Sequence, residues 1–288
     1  MIMDQKITAL YDDYKQGRTS RRDFVRKLVM VAGSSAAAMA LIPVLEENSP
    51  ASSSSYQADP ELMTEFIKYP GETGDVKGFL AWPKSGKKFP AVLVIHENRG
   101  LQPHIQDVTC RMAKEGFLAL APDALSPLGG TPENDLDKAI SMIGQLDKDK
   151  TIKNFVAAVK YLKTHPLSTG KVGCTGFCWG GGMTNQVAVN CPDLDAAVPY
   201  YGMQPTPEQV ASIKAPIIAQ YAGDDARINQ GIPAFEEALK KEKKEYQIFM
   251  YEGAQHAFNN DSNPERYNEK AAKLAWSRTI AFFKEKLK

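Results

Sequence analysis

The segment Val172-Gly173-Cys174-Thr175-Gly176-Phe177-Cys178-Trp179-Gly180-Gly181-Gly182 sets a cysteine between flanking glycines and follows it with more glycine. The GxCxG pattern fits a strand, a sharp turn and a helix start. Small neighbours let such a strained turn approach nearby backbone, and the central side chain is lifted above the sheet. A thiolate at that apex is a strong nucleophile when a neighbour or a helix N-terminus stabilises its charge, and a helix starting near Trp179 supplies the dipole. Strand alternation leaves Cys174 below the turn, as a buried structural cysteine; a Cys174–Cys178 redox or metal pair is the competing reading.

A nucleophile of this kind needs an acid and then a histidine later in the chain. Of His96, His104, His165 and His256, only His256 follows the elbow, in the loop Tyr251-Glu252-Gly253-Ala254-Gln255-His256-Ala257-Phe258. The acid is sought in Tyr221-Ala222-Gly223-Asp224-Asp225-Ala226-Arg227-Ile228, directly after an apolar strand. The spacing after the glycine selects Asp225, and Asp224 is then a turn or capping residue, with both aspartates open at this stage. A third strand end, Val94-Ile95-His96-Glu97-Asn98-Arg99-Gly100, adds a carboxyl group near the elbow. Glu97 there is a proton partner for the thiol or, alternatively, an ion pair with Arg99 or Arg227. His96 reads as a satisfied structural histidine and His104 as a cap or pocket-wall residue.

With these sites in place, residues from about 60 to 288 resemble the dienelactone hydrolase (carboxymethylenebutenolidase-like) family of the α/β-hydrolase superfamily. The resemblance rests on HENRG at 96–100, GFCWGGG at 176–182, AGDDARIN at 222–229 and GAQHAFNND at 253–261. It implies a carboxylic ester or lactone hydrolase of the EC 3.1.1 type with a Cys178–His256–Asp225 triad and an acyl-cysteine intermediate. It also implies that Glu97 pairs with the resting cysteine and swings away on substrate binding, releasing the thiolate. The backbone N–H groups of Asn98 and Trp179 are implied to form the oxyanion hole. One position departs from the family: the arginine that helps hold the substrate carboxylate, four residues after the triad histidine, is Asn260 here. Arg99 and Arg227 are the candidates to replace that clamp, with plain surface charge as the alternative, and Trp179, Tyr200 and Tyr201 are candidate pocket-wall residues, with a core position as the alternative. No metal or organic cofactor is required. The rival readings are a broad carboxylesterase or thioesterase, a redox protein using Cys174 and Cys178, and a catalytically silent binding module.

Elements to position these residues alternate along the chain. Extended apolar stretches occur at 76–82, 91–96, 117–122, 171–175, 196–200, 216–222 and 246–251. Helical patterns lie at 105–114, 136–146, 151–164, 183–190, 232–243 and 264–287. The order predicts a mostly parallel central sheet flanked by helices on both faces, with an antiparallel meander at one edge from about Glu65 to Trp82, and the family resemblance implies that this sheet is that of the α/β-hydrolase fold. Chemistry is then expected beyond the carboxyl ends of the strands.

The 288 residues suit one such domain, residues 59–288, plus an extension, residues 1–58. With 43% hydrophobic and 24% charged residues the chain is neither disordered nor multi-span. Thirty-five Lys and Arg against 34 Asp and Glu give +1, which leaves no bulk field for nucleic acid or acidic membrane, so the expected partner is a small ester or lactone. In the extension, Ser20-Arg21-Arg22-Asp23-Phe24 precedes the uncharged run Leu28 to Leu45. This resembles a twin-arginine signal and predicts export to the periplasm, with membrane contact only through this segment if it stays uncleaved. Small-x-small sites occur at 36–38 and 38–40 inside the run, and at 49–51. The alternative is a cytoplasmic protein with an amphipathic N-terminal helix beginning with Ile7 to Tyr14. A serine-rich linker, Ala51 to Asp59, joins extension and body, and the sequence does not set the oligomeric state.

Overall fold

Runs such as Leu118–Pro122, buried at every position, cannot face water on either side and pair into the middle of a sheet. The computed structural model describes residues 7, 10, 11, 14, 19, 21–32 and 59–288. Eight strands, β1 (Leu62–Gly71), β2 (Gly74–Pro83), β3 (Phe89–Ile95), β4 (Leu118–Pro122), β5 (Ser168–Phe177), β6 (Ala196–Tyr200), β7 (Ile217–Asp224) and β8 (Tyr246–Gln255), lie in the order β1-β2-β4-β3-β5-β6-β7-β8. β1 and β2 form an antiparallel pair, β2 runs antiparallel to β4, and every pairing from β4 through β8 is parallel. This is the α/β-hydrolase architecture.

The sheet separates two apolar cores. One lies under the helices Lys148–Thr164, Trp179–Asn190 and Ile232–Lys241 and contains Phe155, Val187 and Phe235. The other lies under the helices Pro103–Lys114 and Glu269–Lys286 and contains Val108 and Phe283. Burying one such phenylalanine contributes on the order of 2 to 3 kcal/mol, so each helix is held chiefly by its apolar face.

Several boundaries differ from the sequence expectation for physical reasons. The helix after the elbow begins at Trp179 rather than Met183, because its glycines, poor helix formers, are tolerated where backbone packs tightly. The C-terminal helix begins at Glu269 rather than Pro264, since Asn268 caps it by accepting from the Ala271 N–H at 3.1 Å. β8 runs on to Gln255, past Gly253, whose φ of +69° suits glycine.

In the extension, Ile7, Leu10, Tyr11 and Tyr14 are helical at one-face spacing and pack with Phe24 and Leu28 of the helix Arg21–Ala32. The Tyr14 and Phe24 rings stack at 4.7 Å. The apolar run from residue 33 onward, the small-x-small sites and the serine-rich linker up to residue 58 lie outside the described residues. Among the described residues no helix is long and apolar enough to cross a membrane.

Candidate active site

Four strand ends converge on one rim. β3 delivers His96 and Glu97, β5 delivers Cys178, β7 delivers Asp225, and β8 delivers His256. At the end of β5 the chain turns through Cys178 with φ 57° and ψ −116°, a conformation that costs a non-glycine residue about 1 to 3 kcal/mol. The turn is held by the Cys178 N–H donating to the Tyr200 carbonyl at 3.1 Å, while the Gly182 N–H donates to the Cys178 carbonyl at 3.1 Å. The flanking glycines are required by contact. A Cβ on Gly176 would lie 2.3 Å from the Gly180 carbonyl oxygen, and one on Gly180 would lie 2.3 Å from the His96 carbonyl oxygen. All four cysteines are free thiols; Cys174 is fully buried and its Sγ–H donates to Thr184 Oγ1 at 3.7 Å.

His256 Nδ1 lies 2.5 Å from Asp225 Oδ2, and the other carboxylate oxygen accepts from the Ile228 N–H at 3.4 Å. The Asp225 carboxylate fixes the Nδ1–H tautomer, which leaves Nε2 as the basic nitrogen. That Nε2 is buried and has no hydrogen-bond partner. Asp224 is exposed at the end of β7, so the structure brings Asp225, not Asp224, to His256. The His256 ring is also packed edge-on against Tyr201 at 5.1 Å.

Glu97 is held from one side. Asn260 Nδ2–H donates to Glu97 Oε2 at 2.8 Å, while Oε1 is buried without a hydrogen-bond partner. The Asn260 amide cannot flip, because its Oδ1 accepts from both the N–H and the hydroxyl of Ser262, at 3.0 and 2.6 Å. No sequence motif announced this hold; the one sign was the departure from arginine at position 260.

Burial first, and the Glu97 carboxylate second, push the Cys178 thiol up to about 11. The Trp179 N–H and Arg227 pull the other way and are outweighed. The helix start expected to stabilise a thiolate is therefore present, yet the resting cysteine is a thiol at neutral pH. Burial also raises the Tyr201 phenol well above its usual value, with Glu97 and Cys178 adding to the effect.

Asn98, in the loop after β3, and Trp179, the first residue of the helix after the elbow, are both half-buried. Arg99 is half-buried and lines a cavity of about 280 Å3 together with Glu97, His104 and Asn260, whereas Arg227 is exposed. Tyr200 is not a pocket-wall residue: it is fully buried and its hydroxyl meets Thr279 Oγ1 at 2.6 Å in the core. Tyr201 is fully buried as well and reaches the site through its ring. A larger groove, about 650 Å3, lies between the helices Pro103–Lys114 and Glu269–Lys286 and contains none of the candidate catalytic side chains. Among the described residues, no three His, Cys, Asp or Glu side chains are grouped to hold a metal ion.

A glycine-flanked strand-to-helix turn at Cys178, followed along the chain by the paired Asp225 and His256 on the same rim of a mostly parallel eight-stranded sheet, is an arrangement of the α/β-hydrolase superfamily. The chain belongs to the dienelactone hydrolase family, whose model matches residues 76–287. A "Putative carboxymethylenebutenolidase" of Saccharolobus solfataricus is 32% identical over 259 residues, covering 77% of this chain and 98% of the relative. Protein usf of Aquifex pyrophilus is 35% identical over 232 residues, covering 78% of this chain and all of the relative. Among solved structures, a "Putative Dienelactone Hydrolase" from Klebsiella pneumoniae superposes with a TM-score of 0.70 at 26% identity, covering 77% of this chain and 98% of that one.

Proposed function

We propose that this hydrolase cleaves small carboxylic esters or lactones by two-step acyl transfer through Cys178. The observation that carries the reading is the strained elbow at Cys178 on the same rim as the His256–Asp225 pair, whose Nε2 is buried without a partner. The Cys178 thiol gives its proton to Glu97 Oε1 as sulfur attacks the carbonyl carbon. The carbonyl electron pair moves onto oxygen, where the N–H groups of Asn98 and Trp179 stabilise it. Collapse restores the carbonyl and expels the alkoxide, which takes up that same proton, and leaves a thioester on Cys178. A water then attacks the thioester as His256 Nε2 removes its proton, with Asp225 holding the ring and offsetting its charge. The second collapse releases the acid and a cysteine thiolate, which recovers the proton from His256.

Arg99, on the wall of the cavity beside Glu97, is the residue placed to hold a substrate carboxylate, and Arg227 is exposed and less suited to it. The twin-arginine-like segment supports export of the full chain; a wholly cytosolic full-length product on fractionation would overturn that part. The catalytic reading is tested by p-nitrophenyl acetate hydrolysis. Wild type should turn the ester over and Cys178→Ala should lose at least about a thousandfold in kcat/KM while remaining folded. Full activity in Cys178→Ala overturns the mechanism.

A further inference from the structure

His96 is fully buried at the end of β3, yet it touches both halves of the oxyanion hole. Its Nε2 lies 3.1 Å from the backbone N–H of Ala124. A backbone N–H can only donate, so Nε2 accepts and the ring proton resides on Nδ1. Nδ1–H then donates to the carbonyl oxygen of Glu97 at 2.6 Å. That carbonyl belongs to the peptide whose N–H is that of Asn98. In a planar trans peptide the C=O and N–H point in opposite directions, so fixing the Glu97 oxygen fixes the aim of the Asn98 N–H.

The same imidazole stacks on the indole of Trp179, ring centres 5.4 Å apart and 15° from parallel. Trp179 carries the other oxyanion donor. The far end of the loop is pinned separately. The Leu101 N–H donates to Thr131 Oγ1 at 2.8 Å, and that hydroxyl donates to Asp123 Oδ1 at 2.7 Å. Asn98 therefore sits in a loop tied down before and after it, with the His96 hydrogen bond to the Glu97 carbonyl acting on its own peptide plane.

We propose that His96 is a positioning residue for the oxyanion hole: its locked Nδ1–H turns the Asn98 N–H toward the developing oxyanion while its ring seats Trp179. The inference rests on the acyl-transfer reading of Cys178. His96 contacts neither substrate nor reacting atoms and acts through two peptide groups.

Two substitutions separate orientation from packing. His96→Phe keeps a flat ring against Trp179 and loses both hydrogen bonds; His96→Gln retains one donor and one acceptor. The readouts are kcat and KM for p-nitrophenyl acetate, and the affinity of an aryl trifluoromethyl ketone, whose adduct with Cys178 carries an oxyanion. His96→Phe should lower kcat about 30- to 300-fold with KM within about threefold, as expected for misaiming one oxyanion donor. Ketone affinity should fall by the same factor, and His96→Gln should recover both to within about tenfold of wild type. A folded His96→Phe protein with kcat within about threefold of wild type overturns the proposal, as does a kcat loss with ketone affinity unchanged. Should His96→Phe not fold, His96→Gln carries the test: kcat and ketone affinity must stay together, and a loss in kcat alone overturns it. Activity surviving in Cys178→Ala would instead remove the underlying mechanism. An inactive Cys178→Ala beside a fully active His96→Phe would remove this inference only.

Discussion

Replacing Glu97 by glutamine should make the resting cysteine more reactive and the enzyme slower. Cys178 is held up to about 11 from a reference of 9.0, with burial the larger cause and Glu97 the next. Two units correspond to about 3 kcal/mol favouring the thiol. At pH 8 such a thiol is about 0.1% thiolate, against about 10% for an unshifted one, so full release would multiply the thiolate about a hundredfold. Glutamine removes only the smaller, electrostatic contribution; a drop of about half to one unit raises the thiolate fraction about 3- to 10-fold. A less basic thiolate is also a weaker nucleophile, which trims the net gain in alkylation rate to about 2- to 4-fold at pH 8. The assay is iodoacetamide modification followed from pH 7 to about 12, so that it spans a midpoint near 11, and resolved to the Cys178 peptide by mass, since Cys110, Cys174 and Cys191 are buried. The midpoint of the Glu97→Gln profile should move to lower pH, while kcat for ester hydrolysis falls because the proton acceptor is gone. An unchanged or higher midpoint would refute the reasoning, as would a variant that hydrolyses ester as fast as wild type.

Asp225→Asn should lower kcat about 10²- to 10⁴-fold by releasing the His256 tautomer, whereas Asp224→Asn should stay within about threefold; steady-state kinetics on one ester checks both. Asp261 accepts from Arg111 at 2.5 Å and lies 3.2 Å from His104 Nδ1, and these two partners outweigh burial and hold its carboxyl at about 2. A carboxyl lowered on folding stabilises above its unfolded value and loses that stability as pH falls through the folded one. Asp261→Asn should therefore cost about 1 to 2 kcal/mol at pH 7, with the gap to wild type closing between about pH 4 and 2 in urea melts. Cys174→Ala should cost about 1 to 2 kcal/mol from lost packing and keep ester hydrolysis, measured by melts and kinetics together.

The sequence was most informative where chemistry forces a residue type. A glycine-flanked cysteine after a strand, an aspartate after the next apolar strand but one, and the one late histidine all lie on strand ends that the parallel sheet brings to one rim. Apolar runs located β2 through β8, most of which are buried parallel strands, while the half-exposed antiparallel β1 was reached only as part of the edge meander. Periodicity failed at edges governed by local caps and close contacts, as at Trp179 and Asn268. The short helices Pro207–Val210 and Ala226–Asn229 carry too few residues for a periodic signal. Asn260 holding Glu97 was signalled only by the departure from arginine at position 260, since the partners are 163 residues apart and their meeting depends on the loop after β8. The charge state of Cys178 could not be read, since it depends on how burial and Glu97 outweigh the helix start. The fate of Tyr200 was likewise set by side-chain direction on β6, which sends it toward Thr279 and the core while its neighbour Tyr201 packs on His256.

The most direct measurement is the mass of the intact protein, quenched in acid during turnover of p-nitrophenyl acetate by His256→Ala, in which hydrolysis of the acyl-enzyme should be slow. One added acetyl group, mapped by peptide mass to Cys178 and absent from the Cys178→Ala, His256→Ala double variant, is the expected result. Turnover of the ester by wild type with no acyl group on Cys178 in His256→Ala, or an acetyl group on another residue, would contradict a cysteine nucleophile.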